Sequence, residues 1–164
     1  LIESLVAITI LITAILGPIT IASKGIALAG YVRDQTTAFF LAQEGLEYVR
    51  NIRDSNAFVA PPGGWLTGLD VCVSPSTCIV DSPNNTITAC SGTCPVIRYD
   101  SASNIYGYAT GNGTYGTNFT RTVQIISAVQ GREAVVTSTV TWKRSGALAD
   151  GSTTLGETLF NWNQ

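Results

Sequence analysis

Residues 1–23 read LIESLVAITILITAILGPITIAS, an apolar run whose one charge is Glu3 and which meets no other until Lys24. As a helix rising about 1.5 Å per residue it reaches roughly 35 Å, enough to cross the hydrocarbon core of a bilayer. A carboxylate in such a run is costly and marks a role. A signal peptide begins with basic residues and ends in a small-residue cleavage site. This run begins with an acid and passes without a break into the helical pattern that follows. A plain membrane anchor has no need of Glu3, for which the bland account is an acid snorkelling to the membrane surface. Gly17 and Pro18 sit mid-run. Proline removes an amide donor and crowds the carbonyl four residues back, and glycine lowers helix propensity, so the pair predicts a kink. Thr13 and Thr20 are placed to lend hydroxyls to the freed backbone groups.

From Ile26 to about Ser55 the pattern stays helical and turns amphipathic, with Val32, Phe39, Ala42, Leu46 and Val49 recurring at helical spacing. Glu47 with Arg50, and Arg50 with Asp54, are spaced for ion pairs on one face. One rod of about 55 residues, roughly 80 Å long, is expected. Its second half should bury a stripe against a sheet. Pro61, Pro62, Gly63 and Gly64 then stop the helix. Residues 57–95 read as a long loop region with short extended pieces at 71–73 and 78–80. Strands are expected at about 94–100, 119–129 and 133–143, the last with Ala134, Val136, Val140 and Trp142 on one face. Gln130-Gly131-Arg132 reads as a hairpin turn, and 152–162 as a fourth strand. Residues 101–118, rich in Gly, Asn, Ser and Tyr, read as an exposed connector with tyrosines packed onto the sheet, ahead of a stacking or sugar-binding surface.

The first eleven residues, LIESLVAITIL, resemble the mature N-terminus of prepilin-type proteins with class III signal peptides: type IV pilins and the pseudopilins of secretion and DNA-uptake machines. The likeness is specific over about the first 20 residues and diffuse beyond. LAQEGLEYVRNIRDSN at 41–56 also resembles this region of many bacterial prepilin-type proteins. Members of the family start with an aromatic residue or Met, then Thr, then Leu-Ile-Glu. The resemblance therefore implies one or two mature residues and a basic leader ahead of Leu1, with a prepilin peptidase that cuts and N-methylates on the cytoplasmic side. It implies that Glu3 pairs with the N-terminal amine of a neighbouring subunit in a core of packed helices. Such a pair sets register, because a wrong axial placement strands two charges in an apolar core. It also implies a locally unwound helix near Gly17 and Pro18 in the filament, although the family's usual proline lies about two residues further on.

The chain has 164 residues and a net charge of −2, which gives no general pull toward nucleic acid or anionic lipid. Charged residues are 12%, about half the usual share. Gly, Ser, Thr and Asn replace them, mostly after residue 60, as on all-β or loop-rich extracellular surfaces. There is no His, hence neither the commonest general base nor the commonest metal ligand. A Ser or Cys hydrolase would need Lys as base, and neither Lys24 nor Lys143 sits in such a context. The glycines at 111, 113 and 116 lack the Lys and helix of a phosphate loop. Asn84, Asn112 and Asn118 begin glycosylation sequons and mark surface turns.

The four cysteines, Cys72, Cys78, Cys90 and Cys94, are even in number and clustered, with no CxxC. Two disulfides in an oxidising compartment fit this better than a zinc site. The local pairing (Cys72–Cys78 with Cys90–Cys94) and the nested one (Cys72–Cys94 with Cys78–Cys90) both remain open.

The expected fold class is α+β. Residues 1–24 are a hydrophobic helix acting as membrane anchor and filament core. Residues 25–164 are a pilin-type globular domain: amphipathic helix 25–56, disulfide-stapled loop region 57–95, and an antiparallel sheet of about four strands over 96–164. The expected function is non-enzymatic: a structural subunit of an extracellular type IV pilus, serving adhesion, motility or DNA uptake. The alternatives are a minor pilin or pseudopilin, and a membrane-anchored extracellular binding module or enzyme. Expected partners are further copies of the chain in a helical homopolymer, the cytoplasmic membrane before assembly, the prepilin peptidase and the assembly machinery. No cofactor, metal or nucleic acid is expected. The assembly residues are Glu3, Gly17 and Pro18.

Overall fold

The structure, a computed structural model, describes residues 1–59, 64–129, 131–144 and 149–162. Helix α1 runs Ile2–Val59. Seven strands follow: β1 (Cys78–Asp81), β2 (Thr86–Ala89), β3 (Val96–Asp100), β4 (Ile105–Gly107), β5 (Thr114–Val129), β6 (Glu133–Trp142) and β7 (Gly151–Phe160). The chain divides into two compact units, Leu1–Thr36 and Thr37–Gln164.

In the first unit the helix runs on through Gly17 and Pro18. Proline at position 18 withdraws one donor, which removes the usual bond to the Ala14 carbonyl. The threonines do not repair that site. Thr13 Oγ1 donates to the Thr9 and Ile10 carbonyls, at 2.9 and 3.0 Å, and Thr20 Oγ1 donates to the Gly17 carbonyl at 2.7 Å.

In the second unit α1 lies on an all-antiparallel sheet in which β5 is the hub. It pairs with β6 on one side and with β3 and β1 on the other; β4 extends β3, β2 extends β1, and β7 extends β6. The long β5–β6–β7 meander forms because alternating β-branched residues bury one side and leave hydroxyls on the other. Ala134, Val136, Val140 and Trp142 are all buried, as the alternation requires, and Ser138 is buried with them. Gly131 takes φ +76° at the β5–β6 turn, a conformation that suits glycine. Gln130, the first residue of the expected turn, lies outside the described residues. Trp142 sits opposite Gly151 in the β6–β7 ladder, and a Cβ at 151 would fall 2.1 Å from the indole, so only glycine fits there.

The sheet has seven strands where about four were expected. The four long or middle ones (β3, β5, β6, β7) match. The extended piece expected at 78–80 is β1, the additions being its hairpin partner β2 inside the expected loop region and the three-residue β4 inside the expected connector. The 71–73 piece is not a strand. Asp70–Cys72 is a turn of 3-10 helix, and Val73 makes a single bridge to Ile125.

The helix face against the sheet alternates small residues with larger apolar ones and one arginine. Ala38, Leu41, Ala42, Gly45, Leu46, Val49 and Arg53 are buried. Of the expected stripe, Ala42, Leu46 and Val49 hold, whereas Val32 and Phe39 are exposed. Gly45 marks the closest approach: a Cβ there would stand 2.7 Å from Ser138 Oγ and 3.2 Å from Arg121 Cδ. Leu46 and Val49 join Trp65, Leu69, Val80, Val123, Ile125, Val136 and Leu159 in one core with Cys72 and Cys78.

Candidate functional site

Two surfaces are set apart by their chemistry. The first is the apolar segment of α1 up to Thr36. Leu5, Ile8, Ile12, Ile15, Ile19, Ile21 and Ile26 are all exposed, and this helix is long and apolar enough to cross a membrane. Its hydroxyls do not make it polar. Thr9, Thr13, Thr20 and Ser23 each donate back to a carbonyl three or four residues earlier, which removes their donors from the surface. Such a surface suits lipid or other apolar helices. Glu3 lies in the first helical turn, where the helix dipole favours an acid. Among the described residues it has no ion-pair partner. Gly17 and Pro18 lie on the same segment, and nothing packs within 4 Å of where a Cβ at 17 would be.

The second surface belongs to the stapled region of the other unit. The cysteines form Cys72–Cys78 and Cys90–Cys94, the local pairing, with Cα separations of 4.8 and 5.0 Å. Among the described residues no group of three His, Cys, Asp or Glu is placed to hold a metal. The first bridge is fully buried and fixes the 3-10 turn to the start of β1; the second closes Ser91-Gly92-Thr93 into a tight loop between β2 and β3. The apolar N-terminal helix fits a membrane or secretory route, and the disulfides fit an extracytoplasmic location.

What locks this unit to its own stretch of helix is a set of arginines. Arg121, almost wholly buried, donates from Nη1 to the Leu41 carbonyl at 2.8 Å and to Glu44 Oε2 at 3.2 Å; its Nη2 donates to the Val80 carbonyl. It thus ties α1 to β1 through β5. Nearby, burial pushes the Tyr108 phenol up, partly offset by the Arg121 guanidinium. Arg53 donates to the Phe160 carbonyl at 3.1 Å and lies 4.7 Å from the Trp162 ring centroid. Arg50 pairs with Glu47 at 2.7 Å, as its spacing predicts, and with Glu157. The expected Arg50–Asp54 pair does not form; Asp54 lies 2.7 Å from Arg53 instead. Arg121 and Arg53 escaped the sequence reading. The signal was present for Arg121, which shares the parity of Phe119, Val123 and Ile125 and so stands at a core position of β5.

The architecture is pilin-like in outline: a long helix, apolar in its first half, followed by an antiparallel sheet with a stapled loop region. No known protein family, curated protein or solved structure matches the chain.

Proposed function

We propose that this chain is the subunit of a type IV pilus or of a closely related pilin-like filament, with a structural and not a catalytic role. The observation that carries the reading is the apolar segment of α1. It is uncharged from Ser4 to Ser23, folds its threonine hydroxyls back on itself, and buries none of its apolar side chains within its own unit. Such a segment needs an apolar host. The membrane serves before assembly and a bundle of identical helices afterward. Apolar burial is similar in both, so leaving the bilayer carries little solvation cost.

Glu3 then supplies register. In the bundle its carboxylate pairs with a neighbour's N-terminal amine, and a misplaced subunit leaves both charges buried and unpaired. The test is electron microscopy of filaments sheared from cells that produce the chain, with mass spectrometry of the dominant subunit. A major pilin dominates those filaments. A minor pilin or pseudopilin is present only in trace amounts. An anchored binding module or enzyme forms no filament, and that result would overturn the reading.

A further inference from the structure

The β1–β2 turn and the β3–β4 hairpin enclose a groove with a cavity of about 170 Å³, lined among others by Pro83, Asn84, Arg98, Asp100, Ser103 and Ile105. Its polar groups are held in place by the fold. Arg98 Nη2 donates to the Thr114 carbonyl at 2.9 Å and to Thr114 Oγ1 at 3.2 Å, which fixes the guanidinium across β3 and β5. Asp100 accepts from the Ala102 amide at 2.9 Å and from Ser103 Oγ at 2.8 Å. Those bonds hold its carboxyl below the usual range and keep it an acceptor. Asn84 Nδ2 donates to Asp81 Oδ2 at 2.8 Å, which fixes the carboxamide and gives its oxygen a set direction. Asp81 itself is 6% exposed, and its Oδ1 has no hydrogen-bond partner among the described residues. Pro83 and Ile105 add apolar surface beside these groups.

We propose that this groove binds one sugar residue, a small uncharged ring carrying adjacent hydroxyls, at the end of or within a glycan. The chemistry selects that class. A fixed donor (Arg98), a fixed acceptor (Asp100) and a carboxamide that does both suit the paired donor and acceptor of neighbouring hydroxyls. The opposed charges of Arg98 and Asp100 disfavour a strongly charged ligand of either sign. The apolar pair accepts the C–H face of a ring. The volume is below that of drug-sized sites and admits one small ring. The assignment rests on these side chains and does not need the chain to polymerise, so it stands or falls apart from the filament reading.

The test uses the full chain in a detergent without a sugar headgroup. Saturation-transfer NMR is run with the methyl glycosides of glucose, galactose, mannose and N-acetylglucosamine, and with inorganic phosphate and free arginine as charged probes. The expected result is millimolar binding of at least one glycoside and none of the charged probes. Two variants locate it. Asn84→Ala removes the carboxamide, and Ala109→Trp fills the groove from an exposed lining position without touching a hydrogen bond. Each should weaken binding tenfold or more; Ala109→Trp should do so at an unchanged melting temperature, whereas Asn84→Ala also takes a hydrogen bond from buried Asp81 and should lower it. Binding of no glycoside, binding of phosphate or arginine in preference, or binding that survives both variants would overturn the proposal.

Discussion

Helix α1 carries two surfaces that obey opposite rules. Up to Thr36 it is made of large aliphatic side chains that stay exposed, Leu5 at 64% and Ile21 at 73%. From Thr37 onward it buries one stripe that mixes small and large residues, Ala38, Ala42 and Val49 at 0% and Leu41 at 4%. Hydrophobicity alone does not separate the two. The difference teaches that burial within the chain follows fit: Gly45 lets the helix backbone close on β5 and β6, and Arg121 satisfies the carbonyls trapped there. The large aliphatic residues before Thr37 are left for surfaces outside the unit.

The comparison breaks most severely at Arg121. Arg121→Ala leaves Glu44 without its partner and takes the guanidinium donor from the Leu41 and Val80 carbonyls. A loss of about 3–5 kcal/mol is expected, the range for breaking a buried charged network, and it should be confined to the unit from Thr37. Urea unfolding of the full chain in detergent reads it; a shift under 1 kcal/mol would mean that Arg121 is not a lock. Next in size is the buried bridge. Cys72→Ser with Cys78→Ser should cost about 2 kcal/mol, since the closed loop is short. Differential alkylation should find no free thiol in the wild type before reduction.

A smaller effect tests the polar cluster around Arg121. Burial raises the Tyr108 phenol in the folded state. Its contribution is therefore intact below the unfolded tyrosine range, near pH 10, and is lost as pH climbs through the folded value. Stability should fall more steeply above about pH 10 in the wild type than in Tyr108→Phe. Parallel curves would remove the cluster's claim to be water-poor.

How much of this was legible in the sequence follows from period and size. The β6 face was readable because ten residues show five full alternations. The three residues of β4 show none, and β2 sits among turn residues that outweigh a four-residue strand, whereas β1 was legible as the short extended piece at 78–80. On the helix, a reading weighted by hydrophobicity picks Phe39 and passes over Ala38 and Gly45, because close packing rewards small residues that such a reading discounts. Local propensity marked Gly17 and Pro18 as breakers, and the helix spans them. The cysteine pairing needed geometry. The groove needed it too, since Asn84, Arg98 and Asp100 meet only when two hairpins lie side by side.

The account holds that the segment up to Thr36 is an assembly surface and the unit from Thr37 is self-sufficient. Glu3 tests this most directly, because it is the one charge in the apolar run up to Ser23 and no part of the other unit. Glu3→Ala and Glu3→Leu should leave the melting of the full chain in detergent unchanged. Both should sharply reduce filament number by electron microscopy at equal membrane levels of subunit, since each strands a neighbour's amine without its partner. Wild-type filament numbers in both variants would contradict the account and leave Glu3 an acid at the membrane surface.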